Sequence, residues 1–184
     1  MDSKLTGNIK SIFETPLYET TIENISEVQN ELLNDVKDIK FKSHPVWGNT
    51  IHLSDPSFTT DIIKSKFKEE LHRHVEAYSM QSPFFGCSYK IRNSWFTLMK
   101  KHGYSHIHNH GTNDISGVYY VQTSSEDGNI FFESSNQWHS NRINIKPEVG
   151  KLLLFPSWLS HGVTTNTTDY PRISLSFNLV FDRF

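Results

Sequence analysis

Residues 150–165 read GKLLLFPSWLSHGVTT, two β-rich runs joined by a short segment that contains Pro156. The run from Lys151 to Phe155 is apolar enough for a buried strand, and a proline is typical of a strand end. Parallel strands need a crossover of a dozen or more residues, usually a helix, and this connection is too short for one. The stretch therefore predicts antiparallel neighbouring strands and a fold built from hairpins.

The second half of the chain repeats this pattern of short β-rich runs. Past Met80, alternating or β-rich runs are separated by Gly, Asn, Asp and Pro. They read YKIRNSWFTLM, DISGVYYVQ, GNIFFES, NRINIK, GKLLLF, SHGVTT and RISLSFNLVF. We count about eight strands in this region, with no helix between them, which predicts an antiparallel sandwich or barrel.

The first half predicts one strand and two helices. The strand is expected over Ile12 to Tyr18, the first helix from Asn24 and the second from about Thr60, both with apolar residues at helical spacing. These apolar residues are Ile25, Val28, Leu32, Val36 and Ile39 in the first helix, and Ile63, Phe67, Leu71, Val75 and Tyr78 in the second. Both helices should pack on the sheet. His72 and His74 fall on different faces of the second helix, and we expect them to be solvated rather than metal-bound.

Length and composition favour one globular domain. A chain of 184 residues can bury a sufficient core. We expect a single domain over 1–184, with the strand and two supporting helices in 1–82 and the β core in 83–184. The 18 basic and 20 acidic residues form no long run of one sign, which gives no signal for nucleic-acid or anionic-lipid binding.

The cellular setting is expected to be cytoplasmic. No segment approaches the roughly 20 apolar residues of a membrane span, and the only cysteine, Cys87, fits a reducing compartment. The sequence leaves the oligomeric state open, and a homo-oligomer is compatible with it.

Residues 106–110 read HIHNH, with an imidazole at every second position. Alternate side chains of an extended segment share a face, so we expect His106, His108 and His110 to point the same way. Metal sites on β-barrels often combine two ligands at i and i+2 on one strand with a third from a strand alongside. His161, at the start of a later strand, is the candidate third ligand. The ion would thus bind His161 with His108 and either His106 or His110.

A carboxylate is the usual companion of such histidines in non-haem iron sites, as H-x-D or H-x-E, and neither HIH nor HNH supplies one. Asp114 and Glu133 are the acidic candidates. A set of three histidines carries one negative charge less. This should raise the reduction potential of a bound iron and weaken retention of a divalent ion.

A second polar element follows His161. Arg172 and Ser174 share one face of the strand in YPRISLSF. A guanidinium and a hydroxyl that point into a barrel mouth form an anchor for a carboxylate. Because an unpaired buried arginine is costly, Arg172 should either face water or meet an anion.

Together these motifs resemble the Fe(II)- and 2-oxoglutarate-dependent oxygenases, in particular a bacterial and phage branch related to prolyl hydroxylases. The resemblance rests on SWFTLMKKHGYSHIHNHG, DISGVYYV, GNIFFE, GKLLLFPSWLSHGV and RISLSFNL within residues 90–182, and more loosely on IFETPLYE. That branch usually has H-x-H-P before SGVYYV. A gapless match places His108 and His110 on its paired histidines, with Gly111 instead of the proline and His106 as an extra residue.

The resemblance implies a mainly β fold, a double-stranded β-helix of the jelly-roll, cupin-like kind, with the N-terminal helices packed on one sheet. It implies a dioxygenase that uses Fe(II), 2-oxoglutarate and O2, hydroxylates an unidentified small molecule or peptide, and releases succinate and CO2. The implied metal ligands are His108, His110 and His161. The implied 2-oxoglutarate ligands are Arg172, Ser174 and Tyr120. Tyr119 would then face away from the site, because neighbouring strand residues alternate.

Two alternatives use the same residues. HNHGTND followed by GKLLLFPSWLSH also resembles the metal motifs of cupins, with Asp114 as the acid, which would give a metal-dependent enzyme without 2-oxoglutarate. The second is a non-catalytic barrel that binds a metal, ligand or protein. Substrate contacts are expected on the loops GTND, SSEDG and SSNQWHSN, whose sequences carry no readable code.

Overall fold

The computed structural model describes residues 15–22, 25–46, 48–54, 65–80, 86–135 and 140–182. It contains two helices, and the rest of the regular structure is β. In chain order the elements are β1 (Tyr18–Thr21), α1 (Ile25–Lys37), β2 (Lys42–His44), β3 (Gly48–Leu53), α2 (Ser65–Ser79), β4 (Tyr89–Met99), β5 (Ser105–His108), β6 (Ile115–Gln122), β7 (Ile130–Ser135), β8 (Ser140–Ile145), β9 (Lys151–Pro156), β10 (His161–Val163) and β11 (Arg172–Phe181).

The strands form two sheets whose described pairs are all antiparallel. The larger sheet has the order β1-β9-β6-β11-β4-β3-β2, and the smaller has the order β5-β10-β7-β8. Strands that are consecutive in the chain often lie in different sheets, as in a jelly roll. The prediction of an antiparallel double-stranded β-helix is confirmed, and the strands expected after Met80 correspond to β4–β11 in the described part of the chain.

Two apolar clusters cover the two faces of the larger sheet. One cluster joins α1 and α2 to the outer face, with Leu32 and Phe67 packed among residues such as Tyr119 and Leu175. The other lies between the sheets and contains Tyr120 and Phe155. Neighbouring residues of one strand therefore enter different clusters, as the twofold period of a strand requires. Both helices pack on one sheet, as predicted.

The N-terminal part differs from the prediction in two places. The strand expected over Ile12 to Tyr18 is found at Tyr18–Thr21, and residues 12–14 lie outside the described chain. The β2–β3 hairpin was missed, although Ile51 and Leu53 alternate with polar residues. The division at residue 82 stays a prediction, but β1, β2 and β3 all hydrogen-bond into the sheet built by the second half. The expected starts of α1 at Asn24 and of α2 near Thr60 also fall outside the described residues.

One of the two histidines of α2 is not solvated as expected. His72 is exposed and pairs with Glu76. His74 is largely buried, and its Nδ1 lies 2.8 Å from the Tyr18 hydroxyl. The prediction was wrong for His74 because β1 lies near this part of α2 and brings Tyr18 to the imidazole. Within the described residues, neither helix is long and apolar enough to cross a membrane.

Gly117 of β6 gives a test of this packing. A Cβ at this position would overlap the ring of buried Phe177 and lie 3.0 Å from a Leu154 methyl group. We expect Gly117→Ala to lower the free energy of unfolding by about 1–3 kcal/mol through overpacking. Urea denaturation measures this change.

The matched control is Gly111→Ala, whose Cβ would meet only the Asn109 side chain at 3.4 Å. Equal unfolding midpoints for the two variants would contradict the packing described here.

Candidate active site

Three imidazoles converge at one end of the space between the sheets. Ring nitrogens of His108, His110 and His161 all lie within 4.8 Å of one another. The register explains the first contact, because His161 of β10 is directly opposite His108 of β5, and their ring centroids are 4.5 Å apart. His110 lies two residues beyond the end of β5, and its ring is 5.1 Å from that of His108 and 5.3 Å from that of His161.

His106 does not belong to this cluster. The pairing of β5 with β10 shifts between His161↔His108 and Val163↔Ser105, so three steps on β5 match two on β10. This bulge breaks strict alternation, and the exposed His106 ring packs against Tyr104 instead. The expectation that His106, His108 and His110 share one face is therefore wrong. Of the two ligand pairs that the sequence left open, the structure brings His108 and His110 to His161.

Hydrogen bonds to backbone carbonyls orient two of the rings. Nδ1 of His108 is 2.8 Å from the His106 carbonyl oxygen, and Nδ1 of His161 is 2.8 Å from that of Leu159. A carbonyl oxygen only accepts, so each Nδ1 carries the hydrogen. In the neutral ring Nε2 then keeps its lone pair, the arrangement typical of metal-binding histidines.

Burial keeps the three imidazoles neutral. Burial, together with repulsion from His108, lowers the pKa of His161 to about 3 and that of His110 to about 4. The pKa of His108 is also lowered, again mainly by burial. The neutral imidazole is the form that binds metal ions, so near pH 7 no proton has to leave before an ion binds.

Neither acidic candidate joins the histidines. Asp114 accepts a hydrogen bond from the Phe181 backbone N–H at 2.9 Å, which ties it to the end of β11. Glu133 of β7 pairs with Arg142 of β8 in the smaller sheet. Within the described residues, the metal-type cluster consists of three histidines without a carboxylate.

A cavity of about 210 Å³ extends from the histidines between the two sheets. Its polar wall is formed by alternate residues of β11, namely Arg172, Ser174, Ser176 and Asn178. Apolar residues that line the cavity include Val118 and Phe155 of the same sheet and Ile130 of the smaller sheet.

Arg172 is the buried charge of this wall, with 3% of its surface exposed. Its Nη1 donates to the Gly128 carbonyl at 2.9 Å, its Nη2 lies 3.6 Å from the Met99 sulfur, and its Nε has no partner. Burial lowers its pKa, opposed by Tyr120 and Asp127. No described carboxylate forms an ion pair with it, so the site can accept an anion.

Ser174 and Tyr120, the other two 2-oxoglutarate ligands that the resemblance implies, lie near Arg172. Ser174 is buried and stands opposite Tyr120 in the β11–β6 register. The Arg172 guanidinium carbon is 5.8 Å from the Tyr120 ring centroid. Burial raises the pKa of Tyr120 to about 12, so its hydroxyl stays a donor near pH 7. Tyr119 points to the helices instead, and its hydroxyl donates to Gln29.

Sequence reasoning missed the contact between Arg172 and the turn at Asp127 and Gly128. Asp127 is fully buried and accepts hydrogen bonds from the Thr123 hydroxyl and the Ser124 backbone N–H. Gly128 follows with φ +95°, which an L side chain rarely adopts, and its carbonyl receives Arg172. The Asp-Gly pair was visible as a turn signal in SSEDG, which the sequence assigned to substrate contact. Residues 136–139, which are half of the loop SSNQWHSN, lie outside the described residues.

The chain was compared with known families and structures. Residues 93–178 match the family described as putative 2OG-Fe(II) oxygenase. A search of curated proteins found no match.

Solved structures share the fold at low identity. They include the non-heme alpha-ketoglutarate-dependent epimerase SnoN of nogalamycin biosynthesis, at 12% identity, TM-score 0.68 and coverage of 89% of this chain and 77% of that one. HygX from Streptomyces hygroscopicus, crystallised with nickel and 2-oxoglutarate, is 11% identical, with a TM-score of 0.67 and coverage of 90% of this chain and 83% of that one. A Pseudomonas putida prolyl-4-hydroxylase is 15% identical, with a TM-score of 0.60 and coverage of 91% of this chain and 92% of that one.

The family match favours the oxygenase over the cupin reading of the same motifs. Residues 93–178 are thus similar to the 2OG-Fe(II) oxygenases, and the solved structures share the jelly-roll fold of this chain.

Proposed function

We propose that this chain is an oxygenase that uses Fe(II), 2-oxoglutarate and O2, that His108, His110 and His161 bind its Fe(II), and that the reaction is hydroxylation of a C–H bond. One observation carries the assignment: three neutral imidazoles meet within 4.8 Å at a cavity whose wall holds a buried arginine. Two Nδ1 atoms are already bonded to carbonyls, which leaves Nε2 for an ion. Three nitrogen ligands leave further coordination positions for a chelating cosubstrate and O2.

The cosubstrate assignment rests on Arg172. A buried guanidinium with an unpartnered Nε fits the distal carboxylate of 2-oxoglutarate. Ser174 and Tyr120 line the same cavity, and their hydroxyls can donate to the same carboxylate. Gly128 and Met99 hold the other guanidinium nitrogens, so the group is oriented before the ligand arrives.

When bound, iron and 2-oxoglutarate activate O2, with succinate and CO2 as the products from the cosubstrate. The chain's own contribution is orientation and exclusion of water. The apolar side chains of Val118, Ile130 and Phe155 also line the cavity, so reacting groups there are shielded from bulk solvent.

The primary substrate stays open. The similar structures include an epimerase, a carbocyclase and a prolyl-4-hydroxylase, so one fold serves different reactions. At 10–15% identity none of their substrates transfers to this chain.

The metal assignment predicts opposite behaviour of two histidines. His161→Ala should weaken binding of Fe(II), measured anaerobically, by more than about 100-fold, because even residues that only support a ligand cost 10- to 100-fold. His106→Ala, which removes an exposed imidazole from the same segment, should bind like wild type. Unchanged affinity in His161→Ala, or its loss in His106→Ala, would overturn this ligand set.

The cosubstrate assignment predicts a selective loss in Arg172→Gln. Removing one member of a buried charge pair costs about 2–5 kcal/mol, so the KM for 2-oxoglutarate in a succinate-release assay should rise roughly 30-fold or more. Fe(II) affinity should stay near wild type because Arg172 is not a proposed ligand.

Arg142→Gln is the matched control, since Arg142 of β8 is paired with Glu133 of β7 and does not line the cavity. A wild-type KM in Arg172→Gln would show that the distal carboxylate binds elsewhere.

A further inference from the structure

His110 differs from the other two histidines in how the fold holds it. β5 ends at His108, so no strand pairing fixes His110. Its backbone N–H instead donates to the Ser157 carbonyl at 2.7 Å, and the Ser157 N–H donates to the Asp114 carbonyl at 3.0 Å. The Ser157 backbone therefore hydrogen-bonds to both ends of the loop 110–114.

Ser157 also belongs to the turn that leads to His161. Pro156 and Leu159 close this turn through a backbone hydrogen bond of 2.9 Å, and the Leu159 carbonyl accepts the His161 Nδ1 hydrogen. The position of Ser157 thus affects His110 and His161 together.

A chain of buried polar side chains anchors Ser157. Its hydroxyl lies 2.9 Å from that of Ser116, and the Ser116 hydroxyl donates to Asn178 Oδ1 at 2.7 Å. Because Ser116 has a single hydroxyl hydrogen and gives it to Asn178, Ser157 must donate to Ser116. Asn178 Nδ2 then donates to Asn93 Oδ1 at 2.8 Å, so the chain has one fixed direction.

These groups are buried where neighbouring positions are apolar. Ser157, Ser116 and Asn178 are 0%, 3% and 2% exposed. Val118, the next cavity-facing residue of β6, and Phe155, opposite Ser116 on β9, belong to the apolar cluster between the sheets. A fully satisfied buried polar network adds little to stability compared with apolar packing, but it specifies one geometry.

We propose that Ser116, through Ser157, is a positioning residue for the metal site, with Asn178 as the fixed end of the network. This inference rests on the proposed binding of iron by the three histidines. The Ser116 hydroxyl contacts Ser157 and Asn178 rather than a histidine of the cluster, and it keeps the Ser157 carbonyl where the His110 backbone requires it.

The test uses the full-length, metal-free protein and Co(II) chloride as a redox-stable probe. Ser116→Ala should bind Co(II) 10- to 100-fold more weakly than wild type, the range found for residues that orient metal ligands. The visible absorption spectrum of bound Co(II) should also change, because His110 shifts within the coordination sphere. Ser116→Thr keeps the hydroxyl and should restore both properties.

Ser54→Ala is the matched control. Ser54 is 1% exposed and its hydroxyl accepts the Phe96 backbone N–H at 2.9 Å, but it does not line the cavity. It should lose thermal stability while its Co(II) affinity and spectrum stay those of wild type. If Ser116→Ala behaves like Ser54→Ala, the positioning role is overturned.

Two further outcomes separate this inference from the proposed function. If Ser116→Ala does not fold, Ser157→Ala removes only the other hydroxyl and should weaken Co(II) binding in the same way; unchanged binding there overturns the inference. If wild type binds no Co(II), the metal site itself fails. If wild type binds Co(II), and Ser116→Ala and Ser157→Ala bind it equally tightly, the proposed metal site stands and the positioning role is overturned.

Discussion

The site depends on one pairing, that of β10 with β5. This register puts His161 opposite His108 and brings their rings to 4.5 Å, although 53 positions separate them in the sequence numbering. The same pairing contains the bulge that excludes His106 and lets His108 face the cavity. A slip of one residue would turn each side chain to the opposite face, so the register of two short strands decides whether three imidazoles can meet.

β11 connects this cluster to the rest of the molecule. Its apolar residues, such as Leu175 and Leu179, pack under the helices, and its polar residues line the cavity. The helices thus cover the outer face of the strand that carries Arg172 on its inner face. Burial of this guanidinium is costly, and the turn at Gly128 offsets part of the cost through one hydrogen bond, while Nε remains for a ligand.

The charge balance of the site follows from its ligands. Three neutral imidazoles bring no negative charge to a divalent ion, and the nearby Asp114 is committed to the backbone of β11. Retention of an ion then depends on ligand geometry more than on charge. The groups that hold His110 therefore matter for ion binding, because His110 is the one member of the cluster that lies outside a strand.

Much of this could be read from the sequence because it depends on local period and spacing. Short strands without crossover helices determined an antiparallel fold, the apolar repeats determined both helices, and alternation in VYYV separated Tyr120 from Tyr119. The resemblance to oxygenases then favoured His108 and His110 over His106. What spacing alone could not decide was which imidazoles share a face, since a bulge arises from the pairing of β5 with a strand some 50 residues later.

Tertiary structure also decided the surroundings of each site residue. The partners of Arg172, the engagement of Asp114 and the network from Ser157 to Asn178 join residues far apart in the chain. These side chains follow no local sequence pattern, because a serine that anchors a metal ligand cannot be told from other serines by its sequence neighbours. Sequence determined the strands, the helices and the candidate ligands; strand register and burial determined which of them meet, because hydrogen-bond pairing and close packing act between distant segments.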